Sequence, residues 1–261
     1  MSSENVTPPK VVYCTVDERP IEEVAIPNYT AEEHGTWALL IEKQNKLIPG
    51  RACDEFIEGL KVVQFPKDRI PTLKEISARI EAATGWRLVR VDGLVNSPQF
   101  FDLLSRKIFP STDFIRKREE LDYTPAPDMF HDLFGHTPLL SNPDFTEFFE
   151  AFGKAGVAAC KKYPQDHEVH QMLNRIYWFN VEFGLIQTPQ GLRAYGSGSV
   201  SSPEEIQFCL SDKCTRHPFD IDVIAKRPYD IWKLQDHVFV IPSFEKLGKD
   251  FRAWARSWNL L

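Results

Sequence analysis

Cysteine is scarce in this 261-residue chain, and its placement excludes more than it suggests. There are five: Cys14, Cys53, Cys160, Cys209 and Cys214. The number is odd and no Cys-x-x-Cys pair occurs, which argues against a disulfide framework and against a thiolate zinc site. Reduced thiols in a cytoplasmic protein are the expectation. Long apolar runs are also missing, and none approaches the ~20 residues that span a bilayer. The first residues, Met1-Ser2-Ser3-Glu4-Asn5, lack the basic and apolar stretches of a secretory signal. Basic excess is missing too. The net charge is −6, and the one basic cluster, Arg116-Lys117-Arg118, runs straight into Glu119 and Glu120. That leaves no electrostatic footprint for nucleic acid. No repeat, linker or low-complexity tract divides the chain.

What is present suits one sizeable core. Hydrophobic residues make up 43% and charged residues 26%, ordinary values for a globular protein. Nineteen Phe, six Trp and seven Tyr fit either an aromatic-lined pocket or an ordinary core.

Local patterns are mostly helical. Residues 1–28 carry four prolines and little periodicity, and read as an extended N-terminal arm. Thr30-Ala31-Glu32-Glu33 and Thr72-Leu73-Lys74-Glu75 have capping-box spacing, the second opening a helix that Gly85 closes. Residues 86–91 predict a short strand, and 98–126 a short helix among irregular turns. Helical patterns dominate 127–187, interrupted near His136 and Pro164. Residues 191–202 read as a loop around a short strand at 192–195. Ser202-Pro203-Glu204-Glu205 starts another helix. Residues 238–241 predict a strand, and 243–258 a closing helix.

The chemistry concentrates in two segments. One is Pro127-Asp128-Met129-Phe130-His131-Asp132-Leu133-Phe134-Gly135-His136. The other is Tyr177-Trp178-Phe179-Asn180-Val181-Glu182-Phe183-Gly184-Leu185-Ile186. Two imidazoles and one carboxylate in apolar surroundings are the ligand set of a facial-triad iron(II) site, which leaves positions open for O2. A carboxylate in an apolar helix is costly to bury unless it is paired, neutralised or metal-bound. On a helix Glu182 lies one turn from Trp178 and Ile186. The alternative for it is a buried ion pair with Arg175. The histidines are five apart, which on an α-helix of 3.6 residues per turn separates them around the axis. A left-handed Gly135 ending the helix, with Pro138 following, would turn His136 back toward His131.

Three blocks together resemble the pterin-dependent aromatic amino acid hydroxylases. They are Tyr123-Thr124-Pro125-Ala126-Pro127-Asp128 leading into the histidine segment, Ile176 to Leu185, and Ala194-Tyr195-Gly196-Ser197-Gly198 with Ser201-Ser202. The resemblance runs from about residue 30 to the C-terminus and is strongest toward the bacterial phenylalanine-hydroxylating members. It implies a mainly α fold with short β-strands, a single-domain helical bowl over residues 29–261. It also implies an Fe(II)- and tetrahydropterin-dependent monooxygenase that converts L-phenylalanine to L-tyrosine with O2.

In the family pattern the metal ligands fall on His131, His136 and Glu182. Gly93, Leu94, Val95, Ser97, Phe100 and Asp132 fall on pterin-contacting positions, with Phe100 stacking on the ring. Arg116 falls where the substrate carboxylate is held. Thr124, Trp178, Gly198 and Ser201 fall on the substrate pocket. Asp128, Ser201 and Tyr177 stand behind the ligands, the first two as partners that orient His131. No regulatory module or tetramerisation tail is expected, and the chain should act as a monomer or weak dimer. Trp178 and Ile231 favour phenylalanine over tryptophan or tyrosine as substrate. Tryptophan hydroxylation on the same scaffold is the nearest alternative. A zinc hydrolase using the same three ligands and a non-catalytic pterin-binding protein are the others.

Overall fold

A computed structural model describes residues 16–20, 23–93, 95–121 and 127–261. Leu94 and Thr124 therefore lie outside the described residues. In chain order the elements are β1 (Val16–Asp17), α1 (Ala31–Leu47), α2 (Asp54–Val63), α3 (Leu73–Thr84), β2 (Arg87–Val91), α4 (Ser97–Ser105) and β3 (Ile108–Thr112). Then follow α5 (Pro143–Lys162), α6 (His167–Tyr177), β4 (Leu185–Thr188), β5 (Gly191–Ala194), α7 (Ser197–Ser201), α8 (Glu205–Phe208), β6 (Thr215–Pro218), α9 (Ile221–Ile224), β7 (His237–Ile241) and α10 (Phe244–Ser257).

The helix starts follow local chemistry. Thr30 accepts from the Glu33 backbone at 3.2 Å while the Glu33 carboxylate accepts from Thr30 N–H at 2.7 Å. Thr72 and Glu75 repeat the exchange at α3. Gly85 ends α3 at φ +76°, a conformation glycine adopts without steric cost.

Two small sheets flank the helices. One has strand order β1-β2-β3, with β1 antiparallel to β2 and β2 parallel to β3 through the α4 crossover. The segment read as an arm thus contributes a strand. The other sheet has order β5-β4-β7-β6. Helix α5 lies at the centre of the core and turns Phe145, Phe148, Phe149 and Phe152 inward. Trp86 stacks on Phe149 at 5.4 Å, and Phe251 of α10 meets Phe148 edge-on at 5.3 Å. Most of the phenylalanine content is core.

Several local expectations need correction. α2, β3, β6 and α9 had no sequence prediction. The stretch 191–202 is not only loop and strand, because Ser197–Ser201 forms α7. The helical reading of 127–187 breaks twice into wider turns, and those turns build the site.

Candidate metal centre and its two cavities

His131–His136 forms a π-helical turn. Gly135 is not among the glycines with positive φ, so no left-handed residue brings the histidines together. The wider turn does. Hydrogen bonds from i to i+5 place residues five apart on one side, as four-residue spacing does on an α-helix. His131 and His136 consequently present their Nε2 atoms 3.2 Å apart, with rings at 89°. Gly135 serves a different purpose: a Cβ there would lie 2.9 Å from the Ser197 carbonyl oxygen. Its absence lets α7 pack on the turn.

Glu182 ends a second π-turn, Trp178–Glu182, that extends α6. The Phe183 N–H reaches back to the Trp178 carbonyl at 3.0 Å. Ile186 is therefore in β4 and not one helical turn beyond Glu182. Arg175 bonds Glu168 at 2.7 Å and the Ala225 carbonyl at 3.1 Å, so it is not the partner of Glu182. That carboxylate instead lies 3.6 Å from His131 Nε2 and 3.4 Å from His136 Nε2. Among the described residues this is the one cluster of three or more such groups spaced to hold a metal ion.

The shifts at His131 and Glu182 suit ligation. Burial chiefly pushes the His131 imidazole below its ordinary value. Burial alone would raise Glu182, but the two histidines and a hydrogen bond from Ser197 outweigh it and hold the carboxyl at about 2. Neutral imidazole and ionised carboxylate are the forms that bind a metal. Ser201 Oγ lies 3.0 Å from His131 Nδ1, which fixes the ring with Nε2 facing inward. The Ser197 hydroxyl lies 2.8 Å from Glu182 Oε2. In the sequence Ser197 is one residue of the Ala194–Gly198 block, with no role of its own legible there. Its only signal was position beside Gly196 and Gly198.

Asp128 meets His131 through the backbone. It accepts the His131 backbone N–H at 3.1 Å, and the Arg116 Nε and Nη2 grip it at 2.8 Å each. Among the described residues, the remaining Nη1–Nη2 edge of Arg116 has no partner. Asp132 accepts the backbone N–H of Thr112 at 2.7 Å and its hydroxyl at 3.0 Å. Burial nevertheless pushes its carboxyl up to about 6.

Two cavities meet at the triad, and His131, Glu182 and Pro127 line both. The smaller, about 220 Å³, adds Gly93, Val95, Phe100, Asp132, His136 and Tyr177. Phe100 meets Tyr177 edge-on at 5.5 Å, and Tyr177 lies over His136 at 6.5 Å. The larger, about 400 Å³, adds Arg116, Trp178, Gly198, Ser201, Glu205 and Gln235. Trp178 stacks on Tyr229 at 4.4 Å, and its Nε1 donates to Gln235 at 2.8 Å. Ser97 is exposed at the start of α4 and lines neither cavity. Glu205 and Gln235 were not singled out from sequence.

Two imidazoles and one carboxylate on a shared open face fit a divalent first-row ion and define a facial-triad metalloprotein, the architecture of non-haem iron oxygenases. Residues 13–260 match the model of the biopterin-dependent aromatic amino acid hydroxylases, and the chain belongs to that family. It is 46% identical to the phenylalanine-4-hydroxylase of Chromobacterium violaceum over 223 residues, 85% of this chain and 73% of that one. It is 44% identical to the phenylalanine-4-hydroxylase of Pseudomonas aeruginosa, over 84% of this chain and 82% of that one. The solved structure of the C. violaceum phenylalanine hydroxylase with iron(III) and 7,8-dihydrobiopterin superposes with a TM-score of 0.84. That match has 44% identity and covers 90% of this chain and 85% of the other.

Proposed function

We propose that this protein hydroxylates L-phenylalanine to L-tyrosine with O2, using Fe(II) and a tetrahydropterin. The observation that carries the reading is the meeting of two separate cavities at one His-His-Glu centre. One cavity is shaped for the cofactor and one for the amino acid, so both reach the same ion. Iron and tetrahydropterin together supply the activation of O2, chemistry no side chain provides.

The chain's own residues bind and orient. His131, His136 and Glu182 hold the ion, and Ser201 and Ser197 hold two of those ligands. Phe100 offers its ring to the pterin, Gly93, Val95 and Leu94 its edge, and Asp132 a hydrogen-bond partner. The free edge of Arg116 grips the substrate carboxylate as a planar fork, with Ser201 lining the same cavity and Thr124 assigned to the substrate by the family pattern. Gly198 lets the Phe183 ring pack against the cavity wall, because a Cβ there would meet that ring at 2.7 Å. Trp178, braced by Tyr229 and Gln235, walls the aromatic ring and favours one ring over an indole. Residues 29–261 are taken as the catalytic unit. With a net charge of −6 and no described helix long and apolar enough to cross a membrane, the reading needs neither nucleic acid nor lipid. Cys53, Cys160, Cys209 and Cys214 form no disulfide among the described residues, which fits a cytoplasmic protein, and a monomer or weak dimer is the proposed state.

Metal analysis tests the assignment. Protein purified without oxygen should bind one equivalent of Fe(II) and need it, with tetrahydropterin, for turnover. His131→Ala, His136→Ala and Glu182→Ala should each lose the iron while keeping the helical circular-dichroism signal. Any of the three with stoichiometric iron would reject the ligand set. Turnover with zinc and no pterin would point to a hydrolase.

A further inference from the structure

The substrate named above carries two charges at one end, and the cavity answers the first with Arg116. The second, an ammonium, needs a carboxylate. Glu182 belongs to the metal, and Asp128 is fully buried under Arg116 and lines neither cavity. Glu205 remains. It opens α8 and lines the larger cavity together with Arg116, Trp178 and Ser201. Only 9% of its surface is exposed.

Its surroundings are incomplete for an ionised group. Its carboxylate oxygens accept the backbone N–H of Gln235 at 3.2 and 3.5 Å. Among the described residues it has no cationic partner. A carboxylate has about four acceptor sites, and a buried one without a cation is costly. Burial pushes its carboxyl up to about 7, and the neighbouring Glu204 pushes the same way. Gln235 fixes where the group points. Its side chain donates to the carbonyls of Asp230 and Lys233 at 3.0 and 2.7 Å, and accepts from the Trp178 indole. One residue therefore ties Glu205 to the aromatic wall of the cavity. A carboxylate held this way and left short of a positive charge is a receptor built for one.

We infer that Glu205 receives the α-ammonium group of the amino acid substrate, opposite the carboxylate fork of Arg116. The inference rests on the proposed amino acid hydroxylation. It makes the cavity a reader of zwitterions: aromatic acids lacking the amine lose a charge-assisted contact, and amines lacking the acid lose the other.

The test compares L-phenylalanine with 3-phenylpropanoate, which keeps the ring and carboxylate and lacks the amine. Binding of both to iron-loaded wild type and Glu205→Gln is measured by calorimetry, with the KM for L-phenylalanine alongside. Glutamine keeps an oxygen for the Gln235 N–H and removes the charge. Loss of a hydrogen bond to a charged group should weaken L-phenylalanine binding by roughly ten- to a hundred-fold, with 3-phenylpropanoate unchanged or tighter. Equal weakening of both ligands would make Glu205 a structural brace for the 228–235 loop and overturn the inference. So would no change in either. Should Glu205→Gln fail to fold, the wild type still decides: equal affinity for the two ligands would mean that nothing receives the amine. A wild type that binds iron yet forms no tyrosine would instead sink the proposed function, a result distinguishable from any of these.

Discussion

Arg116 shows how much a single side chain can hide in a sequence. Arg116, Lys117 and Arg118 look equivalent as charges, and only resemblance to a family singled out the first. In the fold Lys117 and Arg118 are exposed, while Arg116 is 6% exposed and clamps Asp128. The side chain thus has two tasks, holding the segment that carries His131 and offering its other edge to the cavity. Arg116→Ala should lower kcat/KM for phenylalanine by roughly ten- to a hundred-fold through the lost fork. It should also cost about 3–5 kcal/mol in denaturant stability, because Asp128 is left buried without its partner. Arg116→Lys should recover little of the first effect, since an ammonium cannot span two oxygens. Lys117→Ala and Arg118→Ala should behave as surface changes. Comparable losses at all three positions would point to a general field and away from a fork.

At the scale of elements, legibility followed the period assumed. The capping boxes at Thr30 and Thr72 were readable because their partners lie three residues apart and need no tertiary context. The triad was readable as residue types, but its geometry was not. A five-residue spacing looks wrong on a helix of 3.6 residues per turn, and a π-turn is too rare to assume. Strand β3 was hidden by Pro110, which a sheet tolerates at an edge, and β3 is an edge strand. Two measurements belong here. Gly135→Ala pushes a methyl group against the Ser197 backbone, so it should cost about 1–3 kcal/mol and weaken iron binding. Unchanged stability and iron affinity would mean that α7 does not set the π-turn. Glu75 tests the cap of α3. A hydrogen bond from Arg69 chiefly holds its carboxyl down to about 2, from an ordinary value of 4.5. Because the folded value is depressed, its stabilisation is complete above the ordinary carboxylate range and is lost as pH falls from about 4.5 toward 2. Glu75→Gln keeps the cap's hydrogen bonds. It should melt below wild type at pH 6 and level with it near pH 2. A gap that stays constant with pH would remove charge from the account.

At the scale of the whole molecule, the sequence carried the family and the ligand set but not the arrangement of space. The two ligand segments are far apart in the chain, and their meeting depends on packing that no local pattern records. Glu205 and Gln235, 30 residues apart and joined by a hydrogen bond, belong to that unreadable part. The division of the site into two cavities also appeared only with the fold. The most direct test of the account is a competition. Iron-loaded protein, tetrahydropterin and O2 are given equimolar L-phenylalanine and L-tryptophan, and products and oxidised pterin are quantified at early times. The account predicts tyrosine as the main product, formed in step with pterin oxidation. Hydroxytryptophan as the main product, or no tyrosine from protein with full iron occupancy, would contradict it.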